Sequence, residues 1–270
     1  MNKFKMTLIA SSVVASLSTF AVPAVYAADA PAVSLSGSAA VVSDYRWRGL
    51  SQSYKKPAVQ VGINLGLPAG FYAGFWGSSI SNAALYGPTL AGVETDWFAG
   101  YNYKLNDDVS FDVGGIYVYY PTNAGSSGIN TGEVHVAATY KWLTAQYNVD
   151  TTKYYGLYDS KGTSYIQLDG HYPLTADLTL DAHIGHQMFK GSRMDGTSNS
   201  NLNYSDWLLG ATYTMPAGTF APGWAVSLAY ISTNASKSVY GNTPSDPTSA
   251  TSSSKWLNGP TAVLSLSKSF

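Results

Sequence analysis

The chain is 270 residues long, 45% hydrophobic, 14% aromatic and only 11% charged, with 21 Tyr, 26 Gly, no Cys and a formal net charge of −1. A soluble domain carries charge on about a quarter of its residues, so the composition leans away from a soluble secreted protein. No basic run is present, which argues against nucleic acid as a partner and against a polybasic membrane anchor.

At the N-terminus Lys3 and Lys5 precede an apolar stretch from Met6 to Val22, and Val25-Tyr26-Ala27 supplies the small residues of a cleavage site. Residues 1–27 therefore read as a signal peptide, cut after residue 27 or 28, with one domain over 28–270. No cysteine stands near the cut to take a lipid. Beyond residue 28 no apolar run approaches the roughly 20 residues of a helical span, so a membrane protein here has to be a barrel.

Alternation of apolar and polar residues predicts about twelve strands, near 33–43, 57–66, 71–80, 93–105, 109–119, 131–142, 143–151, 163–173, 177–188, 204–215, 222–232 and 260–270. Each is long enough to cross a membrane as a tilted strand, which takes roughly 9 to 11 residues. The connections alternate long and short. Residues 44–56, 81–92, 120–130, 152–162, 189–203 and 233–259 form the long set, and Leu67 to Gly70, Asn106 to Asp108, Trp142-Leu143, Leu174 to Ala176 and Pro216 to Ala221 the short one. Outer-membrane barrels have short periplasmic turns and long outer loops, and an even strand count leaves both termini on the short-turn side. The expected fold is all-β: a single transmembrane antiparallel up-and-down β-barrel of about twelve strands, preceded by a cleaved signal peptide, in the outer membrane with both termini periplasmic.

Face assignments follow from the two-residue period. In the fourth segment Thr95, Trp97, Ala99, Tyr101, Tyr103 and Leu105 suit lipid, while Glu94, Asp96, Phe98, Gly100, Asn102 and Lys104 suit a wet lumen. The seventh and eighth segments repeat the pattern, with Leu143, Ala145, Tyr147, Val149, Ile166 and Leu168 outward, and Thr144, Gln146, Asn148, Asp150, Gln167, Asp169 and His171 inward. Aromatics cluster at strand ends in two belts: Phe71, Tyr103, Trp142, Tyr172, Tyr213, Trp224 and Phe270 by the short turns, and Trp97, Tyr117, Tyr119, Trp207 and Tyr230 by the long loops. Lys268 breaks the rule on the lipid-facing parity of the last strand. Close to an interface it costs only about 0 to 1 kcal/mol, and it can snorkel.

Several stretches, VVSDYRWRGLSQS (41–53), PAVQVGINL (57–65), GFYAGFWGSSI (70–80), ETDWFAGYNY (94–103), GGIYVYYP (114–121) and the terminal SLSKSF, resemble the TorF-type porin family of proteobacteria. The resemblance spans the mature chain. It implies a Gram-negative outer-membrane barrel of porin type, with Phe270 as the insertion signal for the barrel-assembly machinery, and it brings no catalytic or ligand residues.

The candidate pore-lining residues are Asp44, Arg46, Arg48, Glu94, Asp96, Lys104, Asp112, Glu133, His135, Lys141, Asp150, Asp169, His171, Asp181 and His183. In DYRWRG, Asp44, Arg46 and Arg48 share one parity and Tyr45 and Trp47 the other, as in a strand running past the outer rim. The arginines then either line the pore mouth or brace the first loop. Inward parity on the eighth and ninth strands sets Asp169 opposite His183 and His171 opposite Asp181, a quartet that is a polar lining, a pH gate or a metal site. His183-x-x-His186 is no metal pair in a strand, since residues three apart point to opposite faces. No G-x-S-x-G elbow occurs, and no enzyme activity, cofactor or resident metal is expected.

The sequence thus points to a porin-like channel for passive diffusion of small hydrophilic solutes or ions through a polar, slightly acidic lumen with a modest cation preference. The alternative is a non-conducting barrel whose outer loops bind a partner or surface. Partners expected on either reading are outer-membrane lipid and lipopolysaccharide, with the assembly machinery during insertion.

Overall fold

The structure is a computed structural model that describes residues 33–81, 92–121, 129–240 and 255–270; the expected signal peptide and most of the loop 233–259 lie outside them. Twelve strands close into one antiparallel barrel. They are β1 (Ser34–Val42), β4 (Ala58–Gly66), β5 (Phe71–Ser79), β6 (Val93–Lys104), β7 (Val109–Tyr119), β8 (Thr131–Tyr140), β9 (Leu143–Asp150), β10 (Ser164–Pro173), β11 (Leu178–Met188), β12 (Tyr204–Thr214), β13 (Trp224–Thr233) and β14 (Thr261–Ser269). Two short strands, β2 (Arg46–Trp47) and β3 (Leu50–Ser51), pair apart from the barrel.

Each barrel strand pairs with its neighbours in the chain, and β1 closes the ring on β14 with Ser38 opposite Ser269 and Val42 opposite Ser265. Beyond that register Gly37 N–H donates to Phe270 O (2.8 Å), and Phe270 N–H donates back to Gly37 O (3.0 Å). The Phe270 ring lies where a Cβ on Gly37 would stand, so the terminal aromatic covers a glycine of the first strand. A closed ladder leaves no edge, which is the condition for strands to cross a bilayer.

The short turns carry their own chemistry. Pro68 needs no hydrogen bond on its nitrogen, and Ala69 and Gly70 follow with φ of 61° and 96°. The Asn106 side chain accepts from Asp108 N (2.9 Å) and Val109 N (2.8 Å), and Thr175 Oγ1 does the same for Asp177 N and Leu178 N. Such side-chain-to-backbone bonds fix tight turns and so set the register of the strands they join.

The outward faces are apolar. Val134, Val136, Ile166, Leu168, Ile184 and Leu209 are exposed at mid-strand, and both expected aromatic belts point outward. Within them Trp142 meets Tyr172 edge-on at 5.5 Å, and Phe71 meets Tyr101 at 4.9 Å. Large apolar side chains exposed along strand after strand form the kind of patch that marks a membrane or partner surface. Lys268 sits on the outward parity and reaches toward the turn before β13, where its ammonium donates to Pro222 O (2.6 Å).

Candidate functional site

The first long connection folds into the barrel. After β1 the chain bends at Ser43 and Asp44, and Arg48 (φ 48°) and Gly49 (φ 77°) reverse it between β2 and β3. Residues 44–48 are therefore not a strand extended past the rim. Both parities are buried, because the segment is surrounded by barrel wall. Asp44 is its internal anchor, accepting from Arg46 Nε (2.8 Å), Ser51 Oγ (2.5 Å) and Ser53 Oγ (3.2 Å). Arg46 Nη1 donates to Gly49 O (2.8 Å) and to Gly259 O (2.9 Å), and Ser51 N–H donates to Leu257 O, which stitches the plug to the last long connection. Arg46 thus braces the loop.

Arg48 does something different. Its Nη2 donates to Glu133 on β8 (2.5 Å), its Nη1 to Gln187 on β11 (2.8 Å), and its guanidinium lies 4.2 Å from the centre of the Tyr165 ring on β10. These strands lie across the ring from β1 and β4, from which the loop springs. The loop meets the wall at other points too. Tyr45 donates to Glu94 on β6 (2.5 Å) and packs edge-on to Trp76 on β5, and a Cβ on Gly49 would strike Thr233 and Asp206 on β13 and β12. The first long loop thus spans the lumen at its long-loop end.

Burial shapes the chemistry of the plug. Desolvation and the nearby Glu94 carboxylate raise the Tyr45 and Tyr120 phenols well above their ordinary value, so both stay donors to Glu94. Burial opposes charge on Arg48, but Glu133 together with Tyr154, Asp150 and Tyr165 outweighs it and holds the guanidinium above its usual range. For Arg46 burial wins over Asp44, and the value is lowered.

The wall below is a connected polar network. Asp169 faces His183 and His171 faces Asp181 in register. His183 is held between two carboxylates, with Nδ1 2.6 Å from Asp169 and Nε2 3.0 Å from Asp206. Carboxylates only accept, so this geometry suits a ring that donates from both nitrogens. Tyr165 donates to Asp206 (2.8 Å), and its ring occupies the space above Gly185. Glu133 stands directly opposite Asp150 on the adjacent strand, and neither Asp150 nor Asp96 has a hydrogen-bond partner on its carboxylate among the described residues.

Toward the short turns the lumen opens. Asp112 accepts from Tyr72 (2.8 Å) and lies 2.7 Å from His135, with both members of that pair about one-fifth exposed (20% and 19%). His171 Nδ1 lies 2.8 Å from Asp181, which also accepts from Thr212. Lys104 ends β6 and bonds to Asp107 in the turn (2.9 Å). Lys141 is not on the wall: β8 ends at Tyr140, and the lysine (φ 55°) sits in the turn, 3.8 Å from Asp108 of the neighbouring turn.

Asp206 and Tyr165 complete the network, and Asp206 is not among the candidate pore-lining residues named from the sequence. Its signal was present, since Tyr204, Asp206 and Leu208 share the parity opposite to Trp207 and Leu209. The remaining arc of the lumen, from β13 through β14 to β1, is lined by small or apolar groups such as Ala40, Ser227, Ala229, Val263 and Ser265. Charge is confined to one side. Among the described residues no three His, Cys, Asp or Glu side chains are arranged to hold a metal ion.

The family described as "Bacterial protein of unknown function (Gcw_chp)" matches residues 26–270. No curated protein matches the chain. Among solved structures, the chain is similar to the KdgM porin in complex with disordered oligogalacturonate, at 8% identity and a TM-score of 0.49, covering 88% of this chain and 99% of that one. It is also similar to the TodX monoaromatic hydrocarbon channel (12% identity, TM-score 0.48, covering 89% and 91%) and to the NanC porin (11% identity, TM-score 0.46, covering 87% and 98%). At that level of similarity these proteins say nothing of what this chain passes or binds.

Proposed function

The chain belongs to the Gcw_chp family of bacterial proteins of unknown function, and we propose that it is a Gram-negative outer-membrane channel of porin type. Small hydrophilic solutes or ions diffuse through it down their gradients, past a constriction made by the first long loop. The observation that carries this reading is a closed barrel that is apolar outside and charged inside. A water-soluble barrel has no use for the first property, and a barrel that merely anchors something has no use for the second. The short-turn side with both termini is assigned to the periplasm, and Phe270, paired with Gly37 at the closing seam, is assigned as the assembly signal.

Selectivity is electrostatic. Glu94, Asp96, Asp112, Glu133, Asp150, Asp169, Asp181 and Asp206 face inward, and among the described residues the basic groups they meet are Arg48 and the imidazoles of His135, His171 and His183, the last shared by two of them. A modest preference for cations follows, and no catalytic step is assigned to the His–Asp pairs, which bond to each other and line the wall.

A second reading, a non-conducting barrel whose outer loops bind a partner, is favoured by the buried contacts of Tyr45 and Arg48 across the lumen. Liposome swelling with a graded series of neutral sugars and amino acids separates the two. Swelling that falls off with solute size supports the channel. No swelling with any solute, even after the loop is loosened by Arg48→Ala, supports the second reading.

A further inference from the structure

The seat that receives Arg48 is built by the barrel wall and not by the loop. Glu133 on β8 and Gln187 on β11 supply its acceptors, and Tyr165 on β10 supplies a ring face. Wall contacts also fix their orientation. Gln187 Nε2 donates to Ser164 O (3.0 Å), which leaves its amide oxygen free to face the guanidinium, and the Tyr165 hydroxyl is held by Asp206 (2.8 Å). Two acceptors on separate strands beside an aromatic face suit a planar, forked cation, whereas an ammonium is a point charge that cannot serve all three at once. The loop contributes one guanidinium.

The seat offers more than Arg48 takes. Asp150 stands opposite Glu133 on β9, is only 2% exposed and acts electrostatically on Arg48, yet neither of its carboxylate oxygens accepts a hydrogen bond among the described residues. Arg48 Nε has no acceptor there either. A donor and a carboxylate thus go unmatched in one site, where the tether fixes how the guanidinium lies. The tether is itself strained, with Arg48 at φ 48°. A guanidinium free of the loop carries no such strain and can turn to meet both carboxylates. The seat also adjoins the open part of the lumen, since Glu133 and His135 are successive inward positions on β8 and His135 is already part-exposed.

We infer that this seat is a binding site for small guanidinium compounds, the solute class that the channel selects, and that Arg48 is their tethered competitor. A bound solute displaces Arg48 and so frees the first loop. The inference rests on the channel reading and goes past it by naming the ligand and the contact it replaces.

The test uses the full-length barrel refolded in detergent, with L-arginine, L-lysine and the uncharged isostere L-citrulline as probes. In Arg48→Ala the seat is vacant, so millimolar L-arginine should raise the temperature at which the variant loses its folded gel mobility. L-lysine and L-citrulline should leave that temperature unchanged, and Arg48→Ala/Glu133→Gln should not respond to L-arginine. In planar-bilayer recordings of wild type, L-arginine should raise the open probability at a concentration at least about 10-fold below that of L-lysine, and Asp150→Asn should need about 10-fold more L-arginine. A folded Arg48→Ala that L-arginine does not protect, or that L-lysine protects equally, overturns the inference. If Arg48→Ala does not fold, the recordings decide: equal potency of L-arginine and L-lysine in wild type, or an unchanged response in Asp150→Asn, overturns it. Failure of the channel reading is seen separately. Selective protection by L-arginine in a barrel that never conducts upholds the seat and removes the channel, while potassium conductance indifferent to L-arginine upholds the channel and removes the seat.

Discussion

Arg48→Ala is the perturbation that bears most directly on the plug. The arginine is almost fully buried and is the cation that Glu133 meets in the lumen; removing it deletes two charge-assisted hydrogen bonds and the stacking on Tyr165. Glu133 would then stand opposite Asp150, a second carboxylate, with no counter-charge. Breaking one half of a buried pair costs about 3 to 5 kcal/mol, most of it the penalty of stranding the remaining charge. At about 1.4 kcal/mol per tenfold, the seated loop loses a factor of roughly 100 to 4,000 relative to any displaced arrangement. Single-channel recording in planar bilayers should show a larger unit conductance or a higher open probability in the variant, and denaturant unfolding in detergent should show lower stability. Adding Glu133→Gln removes the stranded charge and should restore part of the stability without reseating the loop. Arg48→Lys should behave like a weak version of Arg48→Ala, since an ammonium cannot reach Glu133 and Gln187 as a fork. Wild-type conductance together with wild-type stability in Arg48→Ala would refute the assignment of this residue as the latch.

Gly185→Ala places a methyl group against the Tyr165 ring, which in turn supports Arg48. Overpacking of this kind costs about 1 to 3 kcal/mol, so the variant should unfold at lower denaturant and conduct more than wild type, whereas Gly218→Ala, with nothing within 4 Å of the new Cβ, should show no packing effect beyond that of its positive φ. Alkaline pH should also loosen the plug. Burial and the Glu94 carboxylate raise the Tyr45 and Tyr120 phenols well above their ordinary range, so the folded state favours the protonated phenols. The stabilisation is complete below about pH 10 and is lost as pH climbs from there toward the folded values. Conductance should therefore rise above about pH 10 in wild type, and Tyr45→Phe should be more open at neutral pH; a flat profile to about pH 11 would argue against the hydrogen bonds to Glu94. Phe270→Ala uncovers Gly37 at the closing seam, and the fraction of heat-modifiable barrel recovered from outer membranes should fall; unchanged recovery would remove Phe270 from assembly.

The barrel was legible because every strand carries one face for lipid and one for polar neighbours, and a period of two cannot be mistaken over ten residues. The register of β10 and β11 was legible for a related reason: a turn closed by Thr175 leaves little freedom once parity is known. The plug was not legible. Asp44 to Arg48 alternate like any strand, and the reversal depends on a left-handed backbone at Arg48, a residue type that gives no hint of it beside the permissive Gly49. Nor could parity show that the inward charges of β6 and β8 to β12 are dry at the loop end, because burial there comes from a segment distant in sequence. Alternation continued through Trp142 sets Lys141 on the wall, but β8 ends at Tyr140 and a left-handed backbone at Lys141 turns the chain there.

Whether the polar face of this barrel encloses an ion path with an acidic lining is decided by the reversal potential of the refolded protein in a planar bilayer under a tenfold gradient of potassium chloride, recorded for wild type and for Arg48→Ala. Discrete conductance steps are expected, larger or more frequent in the variant, with a reversal potential displaced toward that of potassium in both. A chloride-selective potential, or silence from both proteins when correctly folded, would contradict it.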